Sequence, residues 1–256
     1  MFIDQAWRAF RLALSFLTII PVGLGEDETS EAELAASRFA FPVAGAVIGL
    51  VLASVSLGLS RWGVAQAAAA FLLVTVGVVL TGGLHLDGLA DTADGLFLAG
   101  TPERRLEAMR DPRVGSFGVI SLVLLILGKY AALGALRESE RAWALLGSAV
   151  LGRSLLLVSA GIADYARPEG TGRAFVGAAS SLEAGWAALG CVVVGLLTAG
   201  ARGAIAAATA LALAWGLTRL ARSRLGGVTG DTLGAVLELG ELGFLTTLAV
   251  VGSTRA

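Results

Sequence analysis

Apolar stretches of about 18 residues or more recur along this chain, each long enough to cross roughly 30 Å of hydrocarbon as a helix. No other feature restricts the fold so strongly. Of the 256 residues, 56% are hydrophobic and only 15% are charged, where soluble domains run near a quarter charged. Glycine and alanine are abundant, which suits close helix packing in lipid. The sequence therefore predicts an all-α, polytopic integral membrane bundle.

Seven spanning helices are expected, at residues 39–60, 64–86, 117–136, 141–163, 184–201, 203–221 and 233–252. Residues 6–22 are too short and too charged at one end to span. Trp7, Phe10, Leu14 and Leu17 recur there at helical spacing, predicting an amphipathic helix lying in the membrane interface. The polar stretch 24–38 contains "TSEAEL", a Ser/Thr cap before a short helix. No linker, low-complexity segment or repeat divides residues 1–256, so a single membrane-embedded domain is expected. Loops assigned to the N-terminal side of the bilayer hold twelve arginines against five on the other side. The positive-inside rule then puts the N-terminus in the cytoplasm.

A net charge of −1 and the lack of a basic stripe with interleaved aromatics argue against a nucleic-acid partner. The lone cysteine, Cys191, excludes an intramolecular disulfide or a cysteine metal cluster. Arg8 and Arg11 precede a short apolar run, but no small-residue cleavage site follows, so no signal peptide is expected.

Against that apolar background, "GGLHLDGLADTADGLF" at 82–97 places Asp87, Asp91 and Asp94 within eight positions, just after the only histidine, His85. On a helix the three aspartates stand at i, i+4 and i+7 and share a face. Their mutual repulsion grows as the dielectric falls at a membrane border, so something cationic must compensate. Oxygen ligands at this spacing suit Mg²⁺, which usually completes its coordination with substrate phosphates. Asp87, Asp91 and Asp94 are the candidate metal ligands. His85, Asp91 and Asp94 are the candidate general bases; Asp94 is ranked above His85 because Gly95 beside it leaves room for substrate.

The other polar loops fall on the same side and fit an anion. "MRDPRVGSFG" sets Arg110, Arg113 and Ser116 at the start of a span, where guanidiniums and free helix N–H groups bind phosphate. "RLGGVTGDT" supplies Gly226, Gly227, Thr229 and Asp231, and "DYARPEGTGR" supplies Arg173. Within the spans, Lys129, Arg153, Glu238 and Glu241 should face the bundle interior; Arg153 and Glu238 complete the candidate substrate-binding set.

With those residues in place, the chain closely resembles the cobalamin synthase (adenosylcobinamide-GDP ribazoletransferase) family over nearly its whole length. The resemblance rests on "FLTIIPV", "FPVAGAVIG", "GGLHLDGLADTADGL", "MRDPRVGSFG" and "RLGGVTGDTLGA". It departs at Ile19-Ile20-Pro21, where family members often carry Arg-Leu-Pro, and at Arg110, where they often carry Lys. The resemblance implies a Mg²⁺-dependent transferase in a bacterial or archaeal cytoplasmic membrane, its active site facing the cytoplasm. Adenosylcobinamide-GDP and α-ribazole, or its 5′-phosphate, would give adenosylcobalamin, or its 5′-phosphate, and GMP. The lipid bilayer is a further partner, and a homo-oligomer is compatible with such a bundle. Two other readings stay open on residues alone. "DTADG" resembles the start of the CDP-alcohol phosphotransferase motif of lipid synthesis, although Leu96 and Phe97 end the likeness. A transporter coupled to ions through Arg153 and Glu238 is the non-enzymatic alternative, against which the carboxylates gather at one membrane face instead of the midplane.

Overall fold

The computed structural model describes residues 2–23, 29–170 and 172–253; the acidic stretch 24–28 and Arg255 fall outside them. The described residues form helices α1 (Phe2–Leu17), α2 (Glu31–Ser37), α3 (Phe41–Arg61), α4 (Gln66–Thr81), α5 (Leu84–Phe97) and α6 (Pro102–Ala108). Then follow α7 (Ser116–Ala135), α8 (Glu138–Ala160), α9 (Arg173–Gly177), α10 (Ser181–Leu225) and α11 (Gly230–Ser253). The chain is a helical, multi-pass membrane protein, as the apolar runs predict.

The bundle is built around α8. Nearly every residue of α8 from Ala144 to Ala160 is buried, against α3, α10 and α11. The outer helices keep large apolar side chains on their free faces, among them Phe71, Leu124, Leu197 and Trp215. In water such a surface would drive aggregation; in lipid it is the solvent-facing side. By length and composition five helices can cross a membrane, or six where the bent pair α4–α5 is counted as one span.

The seventh comes from α10. Its 45 residues would extend about 68 Å at 1.5 Å per residue, more than twice the hydrocarbon thickness. The helix breaks at Ala199 (φ −146°) and Gly200 (φ 60°, ψ −145°). A β-carbon added to Gly195 or Gly203 would collide with the other residue's carbonyl, whereas a straight helix would hold them about 12 Å apart. The chain therefore doubles back as a hairpin with arms 181–198 and 201–225, matching the predicted division between 184–201 and 203–221.

The predicted span 64–86 differs. It stops at Thr81, and α5 leaves at 90°. Gly82 (φ 62°) and Gly83 (φ 70°) are both left-handed, a conformation that costs a residue with a β-carbon about 1–2 kcal/mol. Two in succession can only end the helix, so the motif His85–Phe97 becomes a separate short helix. It lies at the end of the bundle shared with α1, α6 and the 161–170 and 226–229 segments.

Helix α1 reads as the interfacial helix expected. Leu14 and Leu17 are buried, Trp7 is exposed, and the Trp7 and Phe10 rings lie 5.5 Å apart. The Ile19 amide donates to the Leu80 carbonyl at 3.0 Å, tying α1 to the end of α4. Helix α2 begins with the predicted cap, Ser30 and Glu33 forming reciprocal bonds. At the opposite end of the bundle Arg141 donates to Ser56 and Ser60, and Arg202 pairs with Glu140 at 2.6 Å.

Candidate active site

Helices α5 and α11 touch backbone to backbone at Gly88. A β-carbon there would lie 2.9 Å from the Asp231 carbonyl oxygen and 3.0 Å from its Cα. This close approach sets Asp231, in the first turn of α11, beside Asp87 and Asp91 on α5. Asp91 feels the charges of Asp231, Asp87 and Asp94, and that of one cation, Arg167. Arg167 donates to Asp231 at 2.9 Å. Neither the Asp87 nor the Asp91 carboxylate has a hydrogen bond or ion pair among the described residues. Counted formally, Asp87, Asp91 and Asp231 carry three negative charges against the one positive charge of Arg167.

Arg167 owes its position to a small backbone clasp. The Val228 amide donates to the Asp164 carbonyl and the Ala166 amide to the Val228 carbonyl, both at 2.8 Å. They join the 161–170 loop to the turn after α10 as a single parallel bridge. Gly226 (φ 83°) caps α10, and Gly227 lies against the 164–166 backbone. Thr229 and Thr232 cap α11 reciprocally, amide to hydroxyl, at 2.7 and 3.2 Å. The Thr229 hydroxyl, one of the expected substrate donors, thus holds the start of α11. Arg173 is exposed and donates to the Pro168 carbonyl at 2.7 Å, bracing the same loop. The Nε and Nη2 of Arg167 are buried with no hydrogen-bond partner.

Asp94 faces another way. Its two oxygens accept from the Gly115 and Gly118 amides at 2.7 and 2.9 Å, so it caps α7 and anchors the arginine loop before it. In that loop Arg110 and Arg113 are exposed, and Arg113 grips Asp111 through two nitrogens at 2.8 and 3.0 Å. Those bonds from Arg113 hold the Asp111 carboxyl down at about 2. Ser116 opens α7 with its side chain exposed.

His85 lies under the cluster. It is buried, its Nδ1 has no partner, and it lines a cavity of about 120 Å³ together with Asp87 and Asp231. Deeper in the bundle, Lys129 bonds Glu238 at 2.5 Å and Glu241 at 2.6 Å, and Arg153 pairs with Glu241. Arg153 and Glu238, expected to touch substrate, are thereby committed to this buried network.

Among the described residues no three His, Cys, Asp or Glu side chains converge tightly enough to hold a metal ion by themselves. The donor set still fits Mg²⁺. That ion keeps most of its water or phosphate ligands and uses only one or two protein carboxylates, and Asp87 and Asp91 offer oxygens with no competing bonds. The formal excess of two negative charges matches a divalent cation.

The structure thus gathers Asp87, Asp91, Asp231 and His85. It turns Asp94, on α5, to the start of α7, where Arg110, Arg113 and Ser116 lie in and just after the adjoining loop, and sets Arg153 and Glu238 behind. The sequence reading assigns Arg173 from this loop, whereas the structure brings Arg167 to the carboxylates. The signal was available: the carboxylates need a cation, and "ARPEG" fixes an arginine ahead of a proline in a loop assigned to their side of the membrane.

The profile of the family described as cobalamin-5-phosphate synthase matches residues 9–249. Adenosylcobinamide-GDP ribazoletransferase of Ectopseudomonas mendocina is 44% identical, over 94% of this chain and 98% of its own. Proteins of the same name from Klebsiella pneumoniae strain 342 and Geotalea daltonii are each 39% identical. They cover 94% and 96% of this chain, and 99% and 98% of their own. No solved structure matches.

Proposed function

Since the chain belongs to the cobalamin-5-phosphate synthase family, we propose that it joins adenosylcobinamide-GDP to α-ribazole, or its 5′-phosphate, in the membrane. Family membership leaves no place for the CDP-alcohol phosphotransferase and transporter alternatives. A ribose hydroxyl oxygen bonds the phosphorus on the corrinoid side of the diphosphate. The bond from that phosphorus to the oxygen of GMP breaks, and GMP leaves with the electron pair.

The carboxylate cluster carries this reading: Asp87 and Asp91 lie unpaired beside Asp231, with only Arg167 to offset them. Asp87 and Asp91 would hold Mg²⁺, which when bound draws negative charge from the diphosphate and the departing GMP. Arg167, steadied by Asp231, turns its two unpartnered nitrogens to a phosphate oxygen, for which the guanidinium fork is suited. Arg110 and Arg113, with Ser116 and the free amides opening α7, receive the nucleotide end. Asp94 keeps that loop in place. The ribose proton goes to His85, whose imidazole burial keeps neutral and whose Nδ1 has no partner, leaving a nitrogen to accept it. The arginine-rich end would face the cytoplasm, across a bacterial or archaeal inner membrane.

Purified protein in lipid nanodiscs, given both substrates and Mg²⁺, should release one GMP per adenosylcobalamin formed. GMP release without corrinoid product, or no release, would refute the assignment.

A further inference from the structure

The cavity beneath Asp87 has its own chemistry. Its walls include Phe16, Phe41 and Phe175, whose rings pack on one another with centroids 5.0–6.1 Å apart, and Leu157 from α8. Its polar rim is His85, buried with Nδ1 unpartnered, Asp87, and Asp231, which is held by Arg167. Arg38 also lines it, already bonded to Ala35, Ala178 and Glu183.

At about 120 Å³ the void is near the size of the roughly 150 Å³ apolar cavity that takes up benzene. A corrinoid macrocycle cannot enter. Guanine would fit by shape, but Arg38 and Asp231 are already bonded, so only His85 and Asp87 remain to answer the several donors and acceptors of its edge, and the rest would be buried unpaired. A flat, mostly apolar heteroaromatic ring gains instead from stacking on the phenylalanines. We propose that this cavity binds the heteroaromatic base of the riboside substrate, with the sugar crossing His85 toward Asp87. The assignment rests on the proposed reaction for the identity of the riboside. It places the attacking hydroxyl between His85 and the carboxylates while the nucleotide-bearing substrate enters over the arginine loop.

The test uses full-length protein in lipid nanodiscs. Leu157→Trp fills the cavity and should raise KM for α-ribazole at least tenfold while KM for adenosylcobinamide-GDP stays within twofold. An unchanged ribazole KM, as expected were the cavity occupied by lipid, or an equal rise in both constants, overturns the subsite. If that variant fails to fold, Leu157→Ala enlarges the cavity and should shift kcat/KM at least fivefold toward a riboside with a bulkier base; an unshifted preference overturns the proposal. Equilibrium dialysis of labelled α-ribazole separates this claim from the reaction. Binding to the wild type but not to Leu157→Trp supports the subsite even if turnover fails, and no binding to the wild type rejects it.

Discussion

Two clusters of charge sit a few helical turns apart in the same bundle and are built on opposite principles. The inner one, Lys129, Arg153, Glu238 and Glu241, is balanced: two cations, two carboxylates, each hydrogen-bonded to an opposite charge. The outer one, Asp87, Asp91, Asp231 and Arg167, is left two charges short. A balanced buried network closes on itself and needs nothing from outside. An unbalanced one, at the edge of a low-dielectric bundle, takes up either a proton or a counter-charge, and the substrate of the proposed reaction arrives with metal and diphosphate. The contrast teaches that in an apolar protein the location of a charged residue says less about function than whether its charge is already answered.

The largest expected effect comes from breaking the outer cluster. Asp91→Asn, or Asp87→Asn, should lower turnover by about a thousandfold or more, roughly 4 kcal/mol at the barrier. The midpoint of thermal unfolding should hold steady or rise, since repulsion is relieved. Loss of fold together with activity would mean that these carboxylates are structural after all.

Breaking the inner cluster should do the reverse. Lys129→Met strands a negative charge in the bundle and should cost about 3–5 kcal/mol of stability, read by denaturation in detergent micelles. Adding Glu238→Gln restores neutrality and should recover most of that loss, with turnover per folded molecule near wild type. If the double variant folds but is inactive, the inner network takes part in the chemistry.

Between these lies Asp94. Replacing it by Ala removes the cap from α7, worth about 1–2 kcal/mol. Because the cap also places the arginine loop, KM for the nucleotide-bearing substrate should rise more than KM for ribazole. A pH–rate profile that loses its acidic limb in Asp94→Asn but not in His85→Gln would instead make Asp94 the base.

How far the sequence reveals this contrast differs between the two clusters. The apolar runs announce the membrane bundle, and the i, i+4 spacing of Asp87 and Asp91 puts both on one face, because each depends only on local periodicity. The hairpin of α10 is legible for the same reason: 45 residues cannot cross once. The end of α4 was missed because a glycine pair reads equally as helix packing or as a left-handed stop until neighbours fix the path. Partnership is not legible at all. Nothing in the spacing says that Arg153 and Glu238 answer Glu241 and Lys129, that Asp94 is taken by two amides, or that Thr229 caps a helix. Each of those depends on contacts between segments distant in sequence.

The smallest expected effect concerns the exposed pair in the arginine loop. Asp111 titrates at about 2 in the folded protein, below the ordinary value near 3.9. Its contribution to stability is therefore complete above pH 4 and is lost as pH falls toward 2. Arg113→Gln should return the Asp111 titration to the ordinary range, read by carboxyl NMR, with no resolvable change in unfolding at pH 7. It should weaken nucleotide-substrate binding only modestly, since Arg110 and the α7 amides remain.

The central claim is that the unbalanced cluster is a metal site and the balanced one is not. Mn²⁺ binding followed by electron paramagnetic resonance, in nanodiscs with GDP present, tests it without turnover. One ion per chain should bind to the wild type and to Lys129→Met/Glu238→Gln, and none to Asp87→Asn/Asp91→Asn. Undiminished binding in the aspartate double variant, or loss of binding in the lysine–glutamate one, would contradict it.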